Sequence, residues 1–85
     1  MNDQVACKCC GYYTIGPEGD FSYEICPVCF WEADPVQNAD PDYAGGVNVP
    51  SLNEAKKTFA ATGASELRFL KNVRKPHFTE FPENN

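Results

Sequence analysis

The most informative segment of the chain lies between residues 7 and 29. It opens with Cys7-Lys8-Cys9-Cys10-Gly11 and closes with Cys26-Pro27-Val28-Cys29, so that two C-x-x-C units are separated by 15 residues. This spacing is typical of a four-thiolate zinc site, in which each C-x-x-C turn presents two sulfurs on one side. We therefore predict one structural Zn²⁺ ion, bound by Cys7, Cys10, Cys26 and Cys29.

The size of the chain explains why a metal is needed. With 85 residues the chain forms one domain, and so small a domain buries too little apolar surface to be comfortably stable unaided. A hydrophobic share of 42% and a mean hydropathy of -0.46 nevertheless indicate a folded, water-soluble protein. An ion that crosslinks two distant segments would supply the missing stability.

The cysteine content and the N-terminus indicate the compartment. Five cysteines cannot all pair, and a reducing cytosol favours metal binding over disulfides. The start, Met1-Asn2-Asp3-Gln4, has neither the basic flank nor the apolar region of a secretory signal. No apolar run approaches the roughly 20 residues that a bilayer requires. We expect a cytoplasmic protein without a membrane partner.

The segments around the cysteines predict a small α+β, metal-stabilised domain that is zinc-ribbon-like. Residues 12–15 and 21–25 are rich in β-branched and aromatic side chains, and the turn-rich residues 16–20 between them predict a β-hairpin carrying two cysteine knuckles. Residues 33–50 hold several Pro, Gly, Asp and Asn, which predicts an ordered but irregular excursion.

Two short helices are expected after this excursion. Ser51 and Glu54 form a capping box ahead of a helix over about residues 52–62, and Gly63 suits its C-terminal cap. Ser65 offers a second N-cap before an apolar stripe that ends at Pro76. We place the domain at residues 1–76 and expect an extended or frayed tail over 77–85.

Other interpretations of the cysteines stay open. The two knuckles are similar to those of rubredoxins, which bind iron for electron transfer, although the connecting segment is shorter and Phe30 replaces their glycine. A thioredoxin-type redox motif would need a βαβ context, and a catalytic metal would need an open coordination position. Cys9 is the odd thiol: either a small buried side chain or a reactive thiolate next to Lys8. No nucleophile–base pair is visible, so we predict no enzymatic activity.

The charge is distributed unevenly. Residues 18–54 contain eight acidic residues and no Lys or Arg, whereas residues 56–85 contain six basic and three acidic residues. With a net charge of -5, the chain is expected to bind a basic protein through its acidic part, as an interaction module or an inhibitor of the immunity type. The alternative is a nucleic-acid-binding ribbon that uses four cations near the C-terminus: Arg68, Lys71, Arg74 and Lys75.

Three further features invite interpretation. Phe30 and Trp31 follow the last cysteine, where aromatic rings would shield the metal from water. His77, the only histidine, lies beside a proline in the expected tail and is a weak candidate for a catalytic base. Three aspartates in one segment could bind a hard cation: Asp34, Asp40 and Asp42. They lack the spacing of a calcium-binding loop, so we expect them to lie in an ordinary surface loop.

The chain resembles the small bacterial family of cysteine-rich CPCC proteins. The resemblance covers roughly residues 7–76 and rests on five stretches: Cys9-Cys10-Gly11-Tyr12, residues 23–32, Gly45-Gly46-Val47-Asn48, residues 51–55 and residues 69–76. Lys8 departs from the family's proline after the first cysteine, and Ala33 interrupts a usual acidic pair. The resemblance implies a zinc-ribbon-like cysteine pattern and leaves the biological task open.

Overall fold

Two short strands and two helices form the regular structure of residues 3–85, the part of the chain that the computed structural model describes. Met1 and Asn2, which open the segment inspected for a secretory signal, lie outside the described residues. The strands and helices are β1 Val5–Ala6, β2 Tyr13–Ile15, α1 Pro35–Ala39 and α2 Leu52–Thr62. Single 3₁₀ turns occupy Gly19–Phe21, Leu67–Phe69, Phe78–Glu80 and Pro82–Asn84.

The hairpin forms around the first cysteine knuckle. β1 and β2 pair antiparallel, with Val5 opposite Ile15 and Ala6 opposite Tyr13. The turn between them is closed by the Cys7 amide, which donates to the Tyr12 carbonyl at 2.8 Å. The prediction that 12–15 pairs with 21–25 is therefore wrong in its partner, because the knuckle itself folds 12–15 back onto 5–6.

The second knuckle closes a smaller loop of the same kind. The Cys26 amide donates to the Trp31 carbonyl at 2.9 Å, and an isolated antiparallel bridge joins Ile25 to Glu32. The segment predicted as the second hairpin strand thus belongs to this knuckle, and it begins with the 3₁₀ turn Gly19–Phe21. Each C-x-x-C unit is the turn of its own small loop.

The excursion after the second knuckle is ordered and largely irregular, as predicted, and buried polar side chains organise it. Asp34 caps α1 by accepting from the Val36 amide at 2.9 Å. Gln37 is completely buried, and its amide donates to the carbonyls of Tyr43, Asn48 and Pro50. One side chain therefore satisfies the backbone of a segment that has no ladder of its own.

Helix α2 spans Leu52–Thr62, which confirms the predicted helix over residues 52–62. The Ser51 hydroxyl accepts from the Glu54 amide at 3.1 Å, and Gly63 adopts the left-handed conformation with φ 94° at the C-terminal cap. Leu52 and Ala55 are buried on the face that meets the cysteines.

The second predicted helix is absent from the described residues. Only the 3₁₀ turn Leu67–Phe69 forms, and Leu67 and Leu70 are exposed. The Ser65 amide donates to the Cys29 carbonyl at 2.8 Å, and its hydroxyl makes no hydrogen bond within residues 3–85. The segment is tied to the second knuckle, and this tertiary contact overrides the local capping signal.

Residues 77–85, expected to be extended or frayed, instead carry two 3₁₀ turns. Glu80 is buried and accepts from Arg74 Nη1 at 2.9 Å and Nη2 at 2.8 Å. The Phe81 ring packs edge-on against Tyr12 with 5.3 Å between centroids. The aromatic contact holds the segment beside the first knuckle, and the ion pair ties it to Arg74.

The hydrophobic core is built around the cysteines. Cys7, Cys9, Cys26 and Cys29 are buried in one cluster with five other side chains: Ile15, Val28, Trp31, Leu52 and Ala55. The protein is thus a small domain with an antiparallel hairpin, few helices and a four-cysteine cluster, Cys7, Cys10, Cys26 and Cys29, at its centre.

Candidate metal centre

The two knuckles share one backbone geometry. In each, the residue after the C-x-x-C unit donates its amide to the carbonyl of the first cysteine: Gly11 to Cys7 at 2.8 Å and Phe30 to Cys26 at 2.7 Å. Both residues lie in the left-handed region, Gly11 with φ 84° and Phe30 with φ 71°. This conformation costs a non-glycine residue about 1–2 kcal/mol.

Phe30 therefore takes the backbone conformation that a glycine would take. Its ring packs against Phe69 with 4.7 Å between centroids, and this contact offsets part of the backbone cost. A bulky residue at this position does not prevent amide-to-sulfur bonding, because the amide of the next residue, Trp31, donates to the Cys29 sulfur at 3.4 Å.

The folded chain brings the four predicted ligands together. The sulfurs of Cys7, Cys10, Cys26 and Cys29 all lie within 4.8 Å of one another. Across the knuckles, Cys7 and Cys29 sulfurs are 3.6 Å apart, and Cys10 and Cys26 sulfurs are 3.7 Å apart. A tetrahedral site with zinc–sulfur bonds of about 2.3 Å requires sulfurs about 3.8 Å apart. The four cysteines are positioned to bind a metal ion.

The site is closed to water on most sides. Cys7, Cys26 and Cys29 are buried, whereas Cys10 is half-buried. Trp31 is buried in the same cluster, as predicted for a shielding aromatic residue, and its indole N–H donates to Asn38 Oδ1 at 2.9 Å. Four sulfurs are the number of ligands that a tetrahedral metal site requires.

Hydrogen bonds favour charge on the second knuckle. The Cys26 sulfur accepts from the Val28 amide at 3.4 Å and contacts the Thr14 hydroxyl oxygen at 3.0 Å. Thr14 is not among the site residues predicted from the sequence. The available signal was its position in a β-branched and aromatic strand directly after the first knuckle, but its partner is 12 residues away.

The thiols influence one another's ionisation. Hydrogen bonding between the Cys10 and Cys26 sulfurs lowers the pKa of Cys26 and raises the pKa of Cys10. Hydrogen bonding with Cys10 also raises the pKa of Cys29. Thiols must lose their protons to bind a metal ion, so metal binding and proton binding would compete at this site.

Cys9 is not part of the four-sulfur group. It is buried in the core cluster, which agrees with a small packed side chain. Lys8, which the reactive-thiolate alternative requires beside Cys9, lies 3.6 Å from the Asp20 carboxylate in an exposed ion pair.

The other candidate residues lie apart from the cysteines. Within residues 3–85, the four cysteines are the one group of His, Cys, Asp and Glu side chains close enough to hold a metal ion. Asp34 is buried as a helix cap, and Asp40 and Asp42 lie on the surface. His77 is exposed and donates its backbone amide to Glu80 at 2.7 Å.

The four C-terminal cations named in the nucleic-acid alternative lie outside the α-helices of the described residues. Arg68 pairs with Glu66 at 2.9 Å, and Arg74 is held by Glu80. Lys71 and Lys75 remain as exposed cations of this set. Two of the four positive charges are therefore already matched by carboxylates.

These features define a class: a small cysteine-rich domain whose four sulfurs are arranged to hold a metal ion. Residues 5–80 match the family described as Cysteine-rich CPCC, and the chain belongs to this family. No curated protein matches the chain. None of the helices in the described residues has the length and apolar character needed to cross a membrane.

Proposed function

We propose that the four cysteines hold one structural zinc ion in a zinc-ribbon-like arrangement of two facing knuckles. The observation that carries the proposal is the clustering of four sulfurs within 4.8 Å in the centre of the core. Tetrahedral four-sulfur sites take zinc or iron. Zinc is favoured because a closed, buried crosslink needs no redox chemistry, and because the segment between the knuckles is shorter than in rubredoxins.

Bound zinc would crosslink the two knuckles and so stabilise the fold. Four thiolates around a divalent ion also leave a net charge of about -2 at the centre, which the amides of Val28 and Trp31 help to disperse. Structural zinc in finger peptides has an apparent binding free energy of about 10–16 kcal/mol. This exceeds the whole stability of many small domains, which is about 5–15 kcal/mol.

Elemental analysis of the purified protein tests the metal proposal. We expect one zinc per chain, and unfolding when a strong chelator removes it. Cys26→Ser should lose the ion, whereas the matched control Cys9→Ser should keep it. A wild-type protein that carries iron would refute zinc, and a metal-free protein that melts sharply and ignores chelator would refute the site.

We further propose that the zinc-loaded domain is a binding module for a basic protein, with no enzymatic activity. Support comes from Phe21, which is 75% exposed, and from Tyr23 and Val36, which are also exposed. The turn that contains Phe21 packs beside α1, which contains Val36. Tyr23 lies two residues after Phe21, and its amide donates to the Ala33 carbonyl at 3.0 Å.

Acidic residues flank these apolar residues in the sequence. We define the acidic face as the apolar residues Phe21, Tyr23 and Val36 together with the neighbouring acidic residues Glu18, Asp20, Glu24 and Glu32. An apolar centre with a negative rim complements a partner surface that combines an apolar side chain with Lys or Arg. An inhibitor that covers a basic cleft is a special case of this function.

Selection from a random peptide display library tests the binding proposal. Peptides enriched on the zinc-loaded protein should combine aromatic or aliphatic residues with Lys or Arg, and should bind less tightly at high salt. Phe21→Ser with Tyr23→Ser should abolish binding, whereas Phe78→Ser, at an equally exposed position outside the acidic face, should not. Enrichment that survives the double substitution, or salt-sensitive retention on RNA that requires Lys71 and Lys75, would refute the proposal.

A further inference from the structure

Thr14 connects the two knuckles. It lies in β2, directly after the first knuckle, yet its hydroxyl oxygen is 3.0 Å from the sulfur of Cys26 in the second knuckle. Its side chain is enclosed, because the residue is only 5% exposed. Within residues 3–85, this is the one contact between a hydroxyl and a cysteine sulfur at hydrogen-bonding distance.

The backbone of Thr14 is fixed on both sides, so the hydroxyl is aimed in advance. The Thr14 amide donates to the Tyr12 carbonyl at 3.0 Å, and the Gln4 side-chain amide donates to the Thr14 carbonyl at 3.2 Å. Because threonine is β-branched, its χ1 is restricted in a strand. Hydroxyl placement therefore depends on the first knuckle, while its acceptor belongs to the second.

A hydroxyl donor changes the properties of a thiolate ligand. It withdraws electron density from the sulfur, which lowers the energy of the sulfur lone pairs, and it opposes rotation of the side chain away from the metal. Groups that hydrogen-bond to metal ligands orient those ligands, and replacing such groups typically changes metal affinity about 10- to 100-fold.

We infer that Thr14 is a positioning residue for the metal centre: its hydroxyl donates to the Cys26 thiolate and holds it in the ligand position across the two knuckles. The inference rests on the proposed function, in which the four cysteines bind a metal ion. Cys26 is thereby anchored by a side chain from the opposite knuckle, in addition to the Val28 amide of its own.

The choice of variants separates hydrogen bonding from packing. Thr14→Val keeps the β-branched shape and removes the hydroxyl, and Thr14→Ser keeps the hydroxyl and removes a methyl group. A role in packing alone would make the serine variant the more damaged of the two, since it leaves a small void in the core. A positioning role predicts the reverse order.

Cobalt(II) absorption and zinc transfer to a chromogenic chelator provide the readouts. In Thr14→Val, the thiolate-to-cobalt charge-transfer band should shift to lower energy, because the Cys26 lone pairs rise in energy. Zinc transfer should become about 10- to 100-fold faster. Thr14→Ser should match the wild type in band position and should release zinc at close to the wild-type rate.

The outcomes distinguish failure of the Thr14 inference from failure of the metal-site proposal. If Thr14→Val retains its fold, judged by Trp31 fluorescence, and shows wild-type band position and zinc release, the inference is wrong although the metal site stands. If Thr14→Val binds no metal while Thr14→Ser does, the inference is supported in its strongest form. If the wild type gives no thiolate–cobalt band and holds no zinc, the proposed function fails, and the inference fails with it.

Discussion

Replacing the buried carboxylate of Glu80 should loosen the C-terminal segment from the rest of the domain. Glu80 accepts three hydrogen bonds: two from the guanidinium of Arg74, at 2.9 and 2.8 Å, and one from the His77 amide at 2.7 Å. Arg74 in turn donates its backbone amide to the Pro27 carbonyl at 3.1 Å, inside the second knuckle. The ion pair therefore links the C-terminal turns to the metal centre.

The magnitude follows from the bonds that Glu80→Gln would change. The amide keeps one acceptor oxygen but places an NH₂ group against a guanidinium nitrogen, so one charge-assisted bond worth about 1.5–3 kcal/mol is lost. The Arg74 side chain is 36% exposed and can be hydrated in the variant, which reduces the cost. We expect the free energy of unfolding to fall by about 1–2 kcal/mol at pH 7.

The same ion pair predicts a pH dependence. Hydrogen bonding with Arg74 lowers the pKa of Glu80 below its ordinary value, which is about 4.3 in an unfolded chain. A group with a lowered folded-state pKa stabilises the fold above the unfolded pKa and loses this contribution as the pH falls toward the folded pKa. The difference between wild type and Glu80→Gln should be constant from about pH 8 to 6, and would begin to shrink only near pH 4.3, below the pH at which protonated thiols release zinc.

Urea unfolding of the zinc-loaded protein at several pH values measures this difference. The comparison runs between about pH 8 and 6, because at lower pH thiol protons displace zinc and the domain unfolds in both proteins. Glu83→Gln, in the exposed turn that follows, is the matched control and should unfold like the wild type. Equal stability of Glu80→Gln and wild type at pH 7, or a difference that changes between pH 8 and 6, would refute the reasoning.

Three further predictions concern the cluster and its surroundings. Gly46→Ala should lower the melting temperature markedly, because a Cβ there would lie 2.5 Å from Asp34 Oδ2 and 2.7 Å from Gln37 Cδ; equal melting by circular dichroism would contradict this. Phe30→Gly should relieve the left-handed strain but lose the contact with Phe69, so we expect no net stabilisation, and a higher melting temperature would show that the ring contributes little. The zinc-loaded protein should lose its tertiary structure at a lower chelator concentration at pH 6 than at pH 8, because thiol protons compete with zinc. A chelator titration followed by near-ultraviolet circular dichroism at both pH values measures this difference.

The success of sequence-based prediction in this chain depended on whether a signal is local. The metal-binding cluster and α2 follow from residues close in sequence, namely two C-x-x-C units and a cap at Ser51. Ser65 presents a similar capping signal, yet its amide donates to the Cys29 carbonyl and no α-helix follows within the described residues. The two serines differ in local sequence as well as in tertiary neighbours, because Glu54 stands three residues after Ser51 and Arg68 three residues after Ser65.

The same argument accounts for the other differences. Residues 12–15 pair with 5–6 instead of the predicted 21–25, because the hydrogen bond between Cys7 and Tyr12 closes the first knuckle. The C-terminal turns depend on a carboxylate that is buried by a side chain six residues away. Thr14 reaches a sulfur 12 residues ahead. None of these contacts leaves a trace in periodicity or local propensity.

The position of the cysteines explains why fold and metal site cannot be separated in this protein. In a larger domain, a zinc site can sit beside an independent apolar core, but here three of the four ligands are buried among the residues that form the core. The C-terminal segment and α2 both pack on the knuckles, through Tyr12 with Phe81 and through the buried face of Leu52 and Ala55. Loss of the ion would leave like-charged or protonated sulfurs at the point where these elements meet. Metal removal should therefore unfold the domain as a unit, without leaving a stable remnant.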